Sequence, residues 1–109
     1  MPQTPRAAVV VLYKQPTDTA AFERYYDATH VPLVEKHRRE LGISDVELTK
    51  LSSIDGTAPP FYRKAELWFD SEEAMRRALA MPAFATLADD LPRFATGGVT
   101  VLTSVETNA

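Results

Sequence analysis

Seven consecutive apolar residues, Ala7-Ala8-Val9-Val10-Val11-Leu12-Tyr13, constrain this chain more than any other segment. The run is rich in β-branched side chains and apolar on both faces that a strand presents. Such a stretch is a central strand covered from two sides. It is far too short to span a bilayer. A fold built around it needs a layer above the sheet and a layer below.

The rest of the chain supplies one of those layers. Gln15-Pro16-Thr17-Asp18 is a turn in which Thr17 or Asp18 can cap a helix. Phe22, Tyr25, Tyr26 and Thr29 then share a helical face. Beyond Pro32 a second apolar set follows, Leu33, Val34, His37 and Leu41, and Gly42 ends the helix. Residues 43–52 alternate weakly and are predicted to be a strand, with Val46 and Leu48 facing away from Glu47 and Thr49. Residues 53–60 hold glycine, two prolines and small polar groups, and read as a loop. Residues 61–70 form the third predicted strand. Asp70 or Ser71 caps a second helix whose first turn carries Glu72 and Glu73, where the helix dipole favours negative charge. Its stripe of Met75, Ala78 and Leu79 meets Pro82, then resumes with Phe84, Leu87 and Leu91. Residues 99–105 are the fourth strand.

The order strand, helix, strand, strand, helix, strand specifies an α+β, ferredoxin-like βαββαβ domain over residues 1–109. It has a four-stranded antiparallel sheet and two helices on one face. A chain of this length is the size of one domain and has no third layer to offer. A second copy, packed sheet on sheet in a homodimer, would cover the other face. The cavity between the two sheets is then the expected ligand site.

Composition narrows the function. With no cysteine there is no disulfide, thiol nucleophile or thiolate metal site. A net charge of -3 without a basic block points away from nucleic acid. Met1 to Pro5 lacks an apolar signal core, so a soluble cytoplasmic protein is expected, with no membrane partner. No carboxylate pattern completes a metal site around the two histidines. Gly97-Gly98 precedes a strand rather than a helix, which is not a phosphate loop. No cofactor is expected.

His30 is the residue that most invites chemistry, because imidazole titrates near neutral pH without help. It lies two places before Pro32, and Val31 between them is expected to leave helical geometry. Asp27 and Tyr26, three and four positions earlier, are within reach of the ring on a regular helix. Asp27 could orient it and Tyr26 could share a proton with it. The bland alternative is that His30 caps a broken turn and its ring fills space. Thr29 on the same apolar face, and Tyr13 beside Val9 and Val11, are candidate substrate contacts; Tyr13 could equally be a core-edge phenol with a wet hydroxyl. On the third strand Glu66 and Trp68 share the mixed face and are assigned to the cavity wall, Glu66 being equally suited to an interface salt bridge.

Three segments resemble the EthD-domain family: Val11-Leu12-Tyr13-Lys14, the run from Tyr25 to Val34 containing Thr29-His30-Val31-Pro32-Leu33, and Ala65-Glu66-Leu67-Trp68-Phe69-Asp70-Ser71. The similarity extends from about Val9 to Val105. It implies a dimeric α/β barrel of two ferredoxin-like protomers. It also implies a superfamily that includes cofactor-free monooxygenases, cyclases, dehydratases and isomerases. The expected function is therefore a small cofactor-independent enzyme acting on a hydrophobic oxygenated or aromatic molecule, with His30 as general acid or base. The EthD name adds a link to ether degradation, and its members often carry the label reductase. The alternative expectation is a non-catalytic protein that binds such a ligand.

Overall fold

A computed structural model describes residues 4–107. Four strands, β1 (Ala7–Lys14), β2 (Asp45–Lys50), β3 (Phe61–Phe69) and β4 (Val99–Val105), form one antiparallel sheet in the order β2-β3-β1-β4. The doubly apolar β1 is an inner strand, as its composition requires. Val11 sits opposite both Ala65 of β3 and Val101 of β4.

This register sorts the sheet into two faces. Val9, Val11 and Tyr13 of β1 and Ala65, Leu67 and Phe69 of β3 turn to the helices and are buried. The opposite face carries Val10 and Leu12, with Lys64, Glu66, Trp68 and Leu102 alongside. Leu102 is 49% exposed there.

Helix α1 (Thr19–Tyr25) is capped by Asp18, whose carboxylate accepts from the Ala21 N–H. It passes through a π-helical turn (Tyr26–His30) into α2 (Val31–Leu41), which ends at Gly42 with φ 77°. After β3, α3 (Glu72–Leu79) is capped by Ser71, and α4 (Pro82–Asp90) follows it and runs into a 3-10 turn (Leu91–Arg93). Gly97 lets the connection to β4 pass against the end of β1. A Cβ there would fall 2.0 Å from the Gln15 carbonyl oxygen.

Pro32 does not break its helix. Val31 keeps helical geometry (φ -60°, ψ -44°), contrary to the expectation for a residue before proline. The backbone instead widens by one residue. The Val31 N–H bonds the Tyr26 carbonyl five residues back, and the proline's ring and missing donor fall just past this wider turn. The same turn resets the helix phase. In a regular α-helix, steps of four drift by about 40° each. Here Phe22, Tyr26, His30 and Val34, four apart, are all buried, and Thr29, expected on the apolar face, is exposed.

Around these residues the core is aromatic. The rings of Tyr13, Phe22, Tyr26 and Phe94 meet with centroids 5.2–5.8 Å apart. Those separations are typical of edge-on and offset pairs.

Candidate active site

The π turn delivers His30 to the interior, and the end of α4 meets it there with Asp90. His30 is 6% exposed and Asp90 8%, so the two polar groups must satisfy each other. The His30 Nδ1 lies 2.9 Å from Asp90 Oδ2. The Tyr25 hydroxyl donates to Asp90 Oδ1 at 2.6 Å, and the Arg93 guanidinium stands 3.8 Å away. Phe94 packs on the imidazole at 4.6 Å and the Tyr26 ring stacks at 6.0 Å.

Protonation follows from these surroundings. Burial drives the His30 pKa below its ordinary value, and the hydrogen bond and charge of Asp90 only partly oppose it. Burial also pushes the Asp90 carboxyl up, but donation from Tyr25 and His30 and the nearby positive charge outweigh it and hold the group below the usual aspartate value. At neutral pH an ionised carboxylate therefore faces a neutral imidazole. A carboxylate only accepts, so Nδ1 carries the proton and Nε2 keeps its lone pair. Among the described residues no hydrogen bond is made by Nε2.

His30 also lines a cavity between the helices and the helix-facing side of the sheet. The cavity volume is about 70 Å³, room for several waters or a small organic molecule. Its walls come from Val9 and Val11 of β1, Leu67 of β3, Val34 of α2 and Leu87 of α4. Its polar groups are His30, the phenols of Tyr13 and Tyr26, and Glu35, which is exposed at the rim. Burial pushes the Tyr13 phenol up strongly and Tyr26 up to about 12, with Arg63 opposing both. Both phenols are therefore protonated at neutral pH and can donate.

Of the residues singled out from sequence, Tyr13, Tyr26 and His30 come together at this cavity. Tyr13 is 1% exposed and belongs to the wall rather than to a wet edge. Four others do not join them. Asp27 and Thr29 are exposed, and no hydrogen bond or ion pair links Asp27 to His30 among the described residues. Glu66 pairs with Lys64 at 3.1 Å, and Trp68 lies under the Arg6 guanidinium at 4.4 Å, both on the face away from the helices. The cavity within one chain lies on the helix side of the sheet, whereas the expected space between two sheets belongs to a pair of copies. The helices stand off the sheet near His30, and the void lies between them.

Asp90 is the residue sequence reasoning missed. One local signal pointed to it: Asp89 and Asp90 end a helix, where the dipole disfavours negative charge and basic residues are usual. A second, half-buried cluster stands beside the site. Glu23 accepts from the Tyr62 hydroxyl and from Arg63 at 2.8 Å, and Lys50 stands at 3.4 Å. Arg63 in turn covers the Tyr26 ring at 4.5 Å. Among the described residues no group of three or more histidines and carboxylates could hold a metal ion.

A family model for the EthD domain matches residues 14–98. The chain belongs to the EthD family. An uncharacterised 11.0 kDa protein in the thcB–thcC intergenic region of Rhodococcus erythropolis is 37% identical over 94 residues, 86% of this chain and 88% of that protein. The crystal structure of an EthD family protein from Bacillus halodurans is 26% identical, with a TM-score of 0.82 over 94% of this chain and 99% of that one. The ferredoxin-like fold extends further. A hydroxynitrile lyase from Passiflora edulis shares it at 12% identity, with a TM-score of 0.67 over 99% of this chain and 98% of that one. No helix among the described residues of this EthD chain is long and apolar enough to cross a membrane.

Proposed function

We propose that this EthD protein is a small enzyme that moves protons on a compact, largely apolar oxygenated molecule, with His30 as general base and then general acid. One observation carries the reading: Asp90 holds the Nδ1 side of a buried imidazole that lines the cavity. Asp90 fixes the tautomer and stabilises the imidazolium formed when Nε2 takes a proton. It is a positioning residue, and Tyr25 and Arg93 hold it in turn. Tyr26 and Tyr13, protonated, can donate to a substrate oxygen on which charge builds up. Isomerisation, dehydration and cyclisation all fit a base that returns the proton it removes. A hydroxynitrile lyase shares the fold, and the residues above, not the fold, argue for catalysis here.

The test is deuterium exchange. In heavy water, the protein should wash deuterium into the acidic C–H positions of a panel of small ketones and nitroalkanes. His30→Gln should abolish that exchange while leaving the fold intact. Exchange that survives His30→Gln sinks the assignment. Ligand binding without exchange, unchanged in His30→Gln, identifies a carrier instead.

The functional unit in this reading is a homodimer. Support comes from the sheet face away from the helices, where Val10 and Leu12 are only half-buried and Leu102 is half-exposed in one chain. A second copy laid sheet on sheet would bury them. A monomer by light scattering at micromolar concentration contradicts it.

A further inference from the structure

We propose that the ligand of the His30 cavity is uncharged, and that the site rejects carboxylates by its own charge distribution. The inference rests on the active-site reading above and names the substrate class for it.

Among the described residues no lysine or arginine lines the cavity. The cation closest to its phenols, Arg63, is committed: it binds Glu23 at 2.8 Å and lies over the face of Tyr26. The formal charges that do border the space are negative. Asp90 is anionic directly behind His30, and Glu35 stands at the rim. Arg38 pairs with Glu35 at 3.4 Å and donates to the Ser44 carbonyl, so this guanidinium is committed at the rim and does not line the space. His30, the one group that could become a counter-ion inside, is neutral at ordinary pH.

An anion entering this space would lose its hydration and gain no partner. A cation fares no better. Asp90 already accepts from Tyr25 and His30 and has Arg93 beside it, so it has little left to offer a second positive group. A neutral molecule loses little on leaving water. Its oxygen can accept from a Tyr13 or Tyr26 hydroxyl, or its hydroxyl can donate to Nε2, while the aliphatic walls cover the rest.

Three probes of nearly one shape test this: benzamide, benzoate and benzylammonium. Binding is read from the His30 imidazole signals of the whole protein at pH 8. Benzamide should bind at millimolar concentration, and both ions should bind at least about tenfold more weakly. As the pH falls through the His30 midpoint, the imidazolium supplies a counter-charge and benzoate should gain on benzamide. Arg93 stands beside Asp90, and the other titratable groups facing the ring, Tyr25, Tyr26 and Asp90, keep their charge over that range. Benzoate or benzylammonium binding as tightly as benzamide at pH 8 overturns the proposal. So does failure of all three to bind, because the cavity is then closed to this class. The same spectra report the His30 tautomer. A proton found on Nε2 rather than Nδ1 would sink the general-base reading while leaving the charge ranking to stand or fall separately.

Discussion

Pro32 and Pro82 occupy matching places in the two halves of the fold, each within the helical segment that follows a strand. They end differently. At Pro82 the preceding Met81 is extended (φ -83°, ψ 144°), and the segment splits into α3 and α4. At Pro32 the preceding Val31 stays helical, and the chain absorbs the proline by widening one turn. A break lets the next helix take a new direction, which is how α4 comes to aim Asp90 inward. A widened turn keeps the direction and changes the phase, which is how Tyr26 and His30 both face the interior. The candidate site lies where the products of the two solutions meet, at the His30–Asp90 hydrogen bond.

The contrast can be broken most severely by removing the widening. Deleting Ala28 together with Pro32→Ala should restore an ordinary helix. It would turn one side of the deletion by about 100° relative to the other. His30 and Asp90 then separate, exchange activity disappears, and stability falls by about 2–4 kcal/mol as buried groups lose partners. Urea unfolding with wild-type stability would show that the π turn is incidental.

Next in size is Asp90→Asn at the other end of the contact. Exchange should fall about a hundredfold or more, since the amide neither fixes the tautomer nor stabilises the imidazolium. The His30 pKa, which Asp90 raises against burial, should drop further. An unchanged imidazole titration by NMR would contradict the geometry.

Acid sharpens the same pairing. His30 and Asp90 both have folded pKa values below their ordinary ones, so the unfolded chain takes up protons first. Stability is therefore full at neutral pH. It should decline as pH falls below the ordinary histidine value of 6.5, and again below the ordinary aspartate value of 3.8. His30→Gln should remove the first decline and spare the second, as read by urea midpoints across pH.

The smallest effects should come from the prolines themselves. Pro32→Ala should shift stability by less than about 1 kcal/mol, because a regained helical donor offsets the looser unfolded chain. Pro82→Ala should destabilise by about 0.5–1 kcal/mol through the unfolded state alone. A loss above about 2 kcal/mol for Pro32→Ala would mean that the ring, rather than the surrounding packing, holds the turn open.

The fold was legible because its signals are local and periodic. The apolar β1 run, the caps at Asp18 and Ser71, the stop at Gly42 and the alternation in β3 each speak through neighbours a few residues away. The site was legible in part. Tyr13, Tyr26 and His30 were identifiable as aromatic or titratable groups on apolar faces. Asp27 and Thr29 were misplaced because a regular helix was assumed where the backbone is wider. Glu66 and Trp68 share the sheet face away from the helices, as the alternation in β3 predicts, and the cavity within one chain lies on the other face.

What the sequence determined by itself is the order of elements, the central place of β1 and the family. These follow from side-chain periodicity and from turn and cap chemistry, which act over short stretches of chain. What only the tertiary structure decided is the partner of His30 and the side of the sheet that holds the cavity. Asp90 lies sixty residues further along the chain. Whether it reaches the imidazole depends on the direction that α4 takes after Pro82 and on the phase that one widened turn confers on His30. Both are settled by packing against the sheet.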